Sequence, residues 1–448
     1  MLKNSINSVN DVFFMLPSCV PTTKFEDNGA TLTAKELNIF MKSKRVLGLG
    51  EVMDVHSVLN NDVELLQKLR ISTNKNIDGH CPGVSDKELN AYLCAGISTD
   101  HECSTYEEAL KKVQRGMYVL LREGSAAKNL KDLLPAINKD NYQRFLFCTD
   151  DKHINGLINE GTIDNCIRIA IKEGIEPIMA FTIASLNAAI CYGLKRRGAI
   201  APGYIADLVI FDDLNAVKIK NVIKNGKLYR NRTIVNKVVS RPSVNCKYVR
   251  ENDFKVEYRG EFINVIKLIP YSVKTQKEKR RVFKQDNYVF KVEGEDILKI
   301  SVLERHKNTG KRGIGYIAGL GLQKCSIAQT IAHDSHNIIV VGDNDKDMSL
   351  AVNTIINIGG GIVIVSNGKV IDYLSLPIGG LMTDEDPSVV RDKLENLHKI
   401  ARSYGIKEEF DPFLTLAFMA LPVIPELKIT ARGIFDYKEF NFIDLFTK

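Results

Sequence analysis

Four residues of types suited to metal ligation stand at the ends of strand-like runs: Glu51 in GLGE, His80 in IDGH, His101 in STDH and Asp150 in FCTD. A lone carboxylate or imidazole at such a place is ordinarily a satisfied polar residue where a buried strand meets solvent. Four of them, including two of only eight histidines, make a pattern. In a parallel α/β barrel the C-terminal strand ends converge on one face, where active sites are built. Neutral imidazole together with carboxylate suits a divalent cation such as Zn²⁺, Mn²⁺ or Fe²⁺.

The elements that must position these residues are legible as an alternation of strands and helices. Strand-like runs occupy 12–20, 45–52, 76–81, 96–102, 117–125 and 144–151, and helical patterns lie at 32–43, 86–96 and 105–116. The last pattern has Thr105 as its N-cap, acids in its first turn, bases near its end and Gly116 to close it. Repeated βα units predict a parallel sheet, and six closely spaced strands favour a barrel over an open sheet. From 197 to 231 the pattern becomes β-branched alternation with Pro-Gly and Asn-Gly turns, predicting a small antiparallel unit. Residues 241–260 are charged and irregular, a linker. From 261 an α+β domain follows, in which 326–377 reads helix, strand, helix, hairpin, with Gly359–Gly361 stopping a helix and Asn367-Gly368 turning the hairpin.

Composition narrows the class. At 448 residues the chain needs two or three cores. A net charge of +7, with the lysines dispersed, gives no footprint for nucleic acid. Nine scattered cysteines without a C-x-x-C pair fit reduced thiols in a cytoplasmic protein. No apolar run reaches the length of a membrane-spanning helix, and none near the N-terminus reads as a signal peptide or anchor. The glycines of 313–323 lack the preceding strand and following acid of a dinucleotide loop, so a nucleotide cofactor is not expected.

The blocks LPSCVP, GLGEVM, DGHCPG, LNAYLCAGISTDHE, LLREGSAAKNL, FCTDDKH and RGAIAPGYIADLVI resemble adenine deaminases of the amidohydrolase superfamily. Further on, IAHDSHNIIVVGDNDKDM, LPIGGLMTDEDP and ALPVIPELKIT are similar to the same proteins, so the resemblance runs in order over nearly the whole chain. It implies an amidohydrolase-type (β/α) barrel over 1–196, a small β unit over 197–240 and a C-terminal adenine deaminase-type domain over 261–448. It implies hydrolysis of adenine to hypoxanthine and ammonia in purine salvage, at a binuclear centre of manganese or iron. Glu51 then corresponds to the bridging carboxylate, His80 and His101 to imidazole ligands, and Asp150 to the final-strand aspartate that also shuttles protons. Arg122, Glu123 and Ser125 become substrate-binding candidates, because the Gly-Ser-Ala-Ala loop can bring N–H groups to a purine edge. The alternative there is a helix start capped by Ser125. Asp151, His153, His333 and His336 are further pocket candidates, against a loop role for the first pair and, for the His333-Asp334-Ser335-His336 run, a helix-to-strand turn.

The chain departs from the family pattern in one respect. No H-x-H pair precedes Glu51, and no Asp-Pro-His-Glu block is present. Relative to the family, the barrel lacks its first two strands and one half of the metal site lacks its histidines. A barrel so opened has two unpaired edges, which predicts a homo-oligomer or a separate fragment supplying the missing strands. A catalytically impaired remnant, an incomplete gene model and hydrolysis of another cyclic amide or amidine are the remaining readings.

Overall fold

The computed structural model describes residues 2, 4–125, 127–230 and 243–447. Ala126 of the 121–130 block, 231–240 of the small β unit and 241–242 of the linker lie outside the described residues. Two compact units emerge, one from 1–19 with 32–237 and the other from 20–31 with 238–448. Residues 20–31 therefore group with the C-terminal unit, although they fall inside the 1–196 segment of the sequence reading.

In the first unit six strands form one sheet: β1 (Phe14–Pro17), β2 (Val46–Val52), β3 (Asn76–Gly79), β4 (Thr99–Asp100), β5 (Tyr118–Arg122) and β6 (Phe145–Cys148). They pair in sequence order, every pair parallel, and each lies inside a run expected to be a strand. Val46, Leu49, Val119, Leu121, Phe145 and Leu146 are all buried, as strands covered on both faces require. Gly48 lets β2 approach β3, since a Cβ there would sit 1.8 Å from the Asn76 carbonyl oxygen. Among the described residues β1 and β6 form the two ends of the strand order.

The helices between the strands cover the sheet, including Ala34–Met41, Asp86–Cys94 and Tyr106–Gln114. The Thr105 hydroxyl accepts from the Glu108 N–H at 3.3 Å and Gly116 has φ 86°, so both ends of the third helix are as expected. The small antiparallel unit is also present: β7 (Leu208–Asp213), β8 (Lys218–Lys224) and β9 (Lys227–Leu228), with Asn225-Gly226 turning between the last two at positive φ.

The second unit is built on strands β10 (Phe262–Leu268), β11 (Thr275–Gln285), β12 (Tyr288–Val292), β13 (Ile297–Leu303), β14 (Arg312–Ala318), β15 (Ser326–Gln329), β16 (Ile338–Gly342), β17 (Gly361–Ser366) and β18 (Lys369–Ser375). These run β12-β11-β10-β14-β13-β16-β15-β17-β18, with the helix Asp345–Asn357 packed on β15, β16 and β17. A second sheet of β19 (Leu427–Thr430), β20 (Gly433–Asp436) and β21 (Asn441–Phe442) and a final β22 (Phe446–Thr447) against β10 complete it. Two expectations are corrected. The opening of 326–377 is the strand β15, not a helix, because all four of its residues are buried between β16 and β17. The described part of 241–260 is not a free linker, because Val249 and Phe254 are buried in the core beneath the helix Asp345–Asn357. The glycines of 313–323 fall on and after β14, an antiparallel neighbour of β13, so a strand does precede Gly319 and Gly321.

Candidate metal centre

All four strand-end residues lie in the first unit at the C-terminal side of its sheet. Glu51 is the penultimate residue of β2, His80 follows β3 directly, His101 follows β4 directly and Asp150 stands two residues beyond β6. Local bonds fix these exits. The Ser18 hydroxyl donates to the Glu51 carbonyl. The buried Tyr92 hydroxyl accepts from the His80 N–H at 2.9 Å and donates to the Val52 carbonyl, tying the ends of β2 and β3 together.

The side chains converge on Glu51. His101 Nε2 lies 2.9 Å from Glu51 Oε2, and His80 Nδ1 lies 3.5 Å from Glu51 Oε1. Ligand atoms of Glu51, His80 and His101 all fall within 4.8 Å of one another, and so do those of His101, Glu102 and Asp150. Glu102 is the residue that the strand-end reading passed over. Its Oε1 lies 3.5 Å from His101 Nε2 and 3.7 Å from His80 Nδ1. It sits beside His101 in STDHE, but neighbours in a strand point to opposite faces, so only one of the two was expected at the site. The structure ends β4 at Asp100, and both side chains leave an irregular loop instead.

Arg122, at the end of β5, joins the acids. Its guanidinium donates to both carboxylate oxygens of Glu102, to Asp150 Oδ2 at 2.7 Å and to Asn129 Oδ1 at 3.2 Å. Asp150 adopts φ 54°, a left-handed conformation that Asp tolerates better than most residues. The imidazoles are the covered side of the cluster, with 9% and 12% side-chain exposure for His80 and His101. The acids face outward, with 31% for Glu51 and 33% for Asp150. A cation held here would have protein ligands behind it and an open side in front.

The electrostatics ask for positive charge. Burial alone would raise the Glu51 carboxyl, yet His101 and His80 outweigh it and hold it well below the carboxylate range. Burial alone would discharge His101, yet Glu51 and then Glu102 push its pKa up to about 10. His80 is raised by Glu51 and Glu102 in the same way, against its burial. Without a metal, protons therefore occupy the place of a cation. Among the described residues His80 Nδ1 is buried without a hydrogen-bond partner, and it is aimed at the two glutamates. Two imidazoles and three carboxylates, one buried nitrogen unsatisfied, fit a divalent transition metal by donor type. Asp78, on β3, is half-buried, with its carboxyl pushed up to about 6 by loss of solvent and bonded by Thr99 and Tyr192.

The other candidates are placed elsewhere. Glu123 is buried and turned toward Lys128, 3.7 Å away, and burial pushes its carboxyl up. Ser125 does not cap a helix. Its hydroxyl accepts from the His153 N–H at 2.9 Å, and its N–H donates to the Asp151 carbonyl at 2.9 Å. The next helix begins at Leu130 with Asn129 before it. The loops after β5 and β6 are thus laced together, and His153 precedes the helix Ile154–Asn159. His333, Asp334 and His336 belong to the second unit, in a turn between two strands rather than after a helix. His333 stacks on Phe418 at 4.7 Å, Asp334 accepts from the Thr22 hydroxyl at 2.7 Å, and burial followed by His333 lowers His336 to about 4.

Comparison with known proteins bears on the whole chain. The amidohydrolase family model matches residues 1–229, and the adenine deaminase C-terminal domain model matches residues 272–441. The chain is 45% identical over 451 residues to adenine deaminase 2 of Carboxydothermus hydrogenoformans, covering 99% of this chain and 79% of that protein. It is 45% identical over 457 residues to the adenine deaminase of Clostridium acetobutylicum, covering 99% and 80%. It is 42% identical over 456 residues to that of Bacillus pumilus, covering 99% and 79%. With its amidohydrolase strand ends and both halves matched at this identity, the chain belongs to the adenine deaminase family.

Proposed function

We propose that the chain hydrolyses adenine to hypoxanthine and ammonia, with a divalent cation held by Glu51, His80 and His101 and with Asp150 as the proton carrier. The observation that carries this reading is Glu51, one carboxylate set between two imidazoles from the ends of neighbouring strands. A cation bound there lowers the pKa of water from about 16 toward 7, so that a nucleophile is available at neutral pH. Everything else falls to side chains. Glu51, 31% exposed on its side chain, would be the carboxylate to hold a second ion as well as the first. Glu102 joins the donor set, and Arg122 fixes its orientation.

Asp150 takes the proton released as water adds to C6 and delivers it to the departing amino nitrogen. Adenine and water give hypoxanthine and ammonia, with no other reactant. The carboxylate suits this task because Arg122 holds only one of its oxygens, at 2.7 Å, while a third of the side chain stays open. The loop at Gly124–Ser125 is the substrate-facing candidate, with Arg122 acting on the acids rather than on the purine. Manganese or iron is the cation we favour, and purine salvage in the cytoplasm the setting. No described helix is long and apolar enough to cross a membrane. The six parallel strands fit a barrel missing two of eight, and their outer edges support pairing with a second copy or with a separate strand-bearing fragment.

The test is hypoxanthine and ammonia formation from adenine by the manganese-loaded chain, alone and with a fragment carrying the family's H-x-H strand. Turnover in either arm that vanishes in Glu51→Gln supports the proposal. A metal-loaded protein inert in both arms overturns it.

A further inference from the structure

The helix Tyr106–Gln114 supplies none of the proposed ligands, yet its Lys112 is a buried charge with three hydrogen-bond partners. Lys112 and Asp100 have 1% and 0% side-chain exposure. Lys112 Nζ donates to the Cys81 carbonyl, to Asp100 Oδ2 and to Glu108 Oε1, each at 2.9 Å, which uses all three ammonium protons. Asp100 accepts from the Cys81 N–H at 2.8 Å, the Glu102 N–H at 3.1 Å and the Cys103 thiol at 3.3 Å. Glu108, one turn before Lys112, accepts from the Gly83 N–H at 2.9 Å and the Ser104 N–H at 3.0 Å.

These bonds sort into two sets. Cys81 and Gly83 belong to the loop that begins with His80. Glu102, Cys103 and Ser104 belong to the loop that begins with His101. We infer that Asp100, Glu108 and Lys112 form a buried clamp that joins these two loops and so sets the spacing of the His80 and His101 imidazoles. This rests on the proposed metal site and names the residues that pre-form it.

A purely stabilising role accounts for less of the geometry. A buried ion pair is weak in net stability, because desolvation offsets the Coulomb gain. What it specifies well is position, and here every acceptor and donor spans the two ligand-bearing loops or the helix beneath them. Partners behind metal ligands typically govern affinity by about 10- to 100-fold when removed. Lys112→Met keeps the length of the aliphatic stem and removes the ammonium with its charge and three bonds. Glu108→Gln puts an amide where two N–H groups need acceptors, at a side chain that is 20% exposed and outside the deepest core.

The experiment uses the full chain and measures Mn²⁺ affinity by titration calorimetry, the visible absorption of the Co²⁺-loaded form and the thermal midpoint of the metal-free form. Wild type, Lys112→Met, Glu108→Gln and Glu51→Gln are compared. The expected result is tight Mn²⁺ binding by wild type, loss of binding in Glu51→Gln, and affinity about 10- to 100-fold weaker in both clamp variants with an altered cobalt spectrum. Wild-type affinity and spectrum in the clamp variants, even with a lowered midpoint, overturn the clamp and leave the metal site standing. If Lys112→Met does not fold, Glu108→Gln decides by the same criteria. Failure of wild type to bind either ion overturns the metal reading and the clamp with it.

Discussion

His101 shows what a single side chain at this site does with and without a cation. Burial disfavours its charge, but Glu51 and Glu102 raise its pKa from 6.5 to about 10. Its contribution to the metal-free fold is thus fully present below pH 6.5 and is lost as pH rises through about 10. Glu51, depressed from 4.5, contributes stability above pH 4.5 that is lost as pH falls below it. The two describe one interaction, so the metal-free protein loses thermal stability as pH rises from 6.5 to about 10, as a pH series of unfolding midpoints will show. Saturating Mn²⁺ competes with those protons, so its affinity rises over the same interval and its binding releases protons. Asp150 makes a separate prediction. Asp150→Asn lowers kcat about 10²- to 10⁴-fold by removing the proton carrier, whereas Glu51→Gln loses metal affinity first. Steady-state kinetics with metal titration separate the two. Glu51, His80, His101 and Asp150 could be singled out because each stands where a run expected to be a strand ends. Glu102 was not, because the rule that reveals His101 turns its neighbour away until the strand is known to have ended.

The strands themselves were legible for a related reason. β1, β2, β5 and β6 are short, mainly apolar runs, the polar β3 and β4 are found from the alternation of strand with helix, and parallel strands buried on both faces need no alternation of their own. The same property hid β15, where Ser326-Ile327-Ala328-Gln329 is buried throughout and two of its four residues are polar. A four-residue run carries too little period to tell strand from helix, and only its pairing with β16 and β17 decides. The glycines in GLGE read as punctuation in the sequence and act as clearance in the sheet. Gly48→Ala drives a Cβ to within 1.8 Å of the Asn76 carbonyl oxygen, a backbone atom that cannot move without its strand. Overpacking of this kind costs about 1–3 kcal/mol, and here the upper end is expected, because β2 and β3 carry Glu51 and lead into His80. The urea midpoint falls accordingly, and Mn²⁺ affinity falls with it. An unchanged midpoint would mean that the two strands are not held as closely as described.

At the scale of the molecule, composition showed a chain too long for one core, but not where the chain changes units. Residues 20–31 joined the second unit through contacts no local pattern announces, such as Asp27 with Arg432 at 2.8 Å. The candidate metal site, by contrast, is drawn wholly from the first unit, from four stretches between residues 51 and 150. A cation bound to four stretches of one fold and to none of them when unfolded must stabilise that fold by mass action. At a free Mn²⁺ concentration 100 times the dissociation constant the gain is about 2.7 kcal/mol. For a unit of this size that raises the transition which reports its unfolding by about 5–10 °C. Exhaustive chelation removes the shift and the adenine turnover together, and restoring Mn²⁺ or Fe²⁺ recovers both in proportion to occupancy. In Glu51→Gln the midpoint no longer responds to Mn²⁺. A wild-type midpoint equally indifferent to chelator and to added metal would show that the imidazole–carboxylate cluster is an ion-pair network filled by protons, and calorimetry over a metal titration distinguishes the two outcomes.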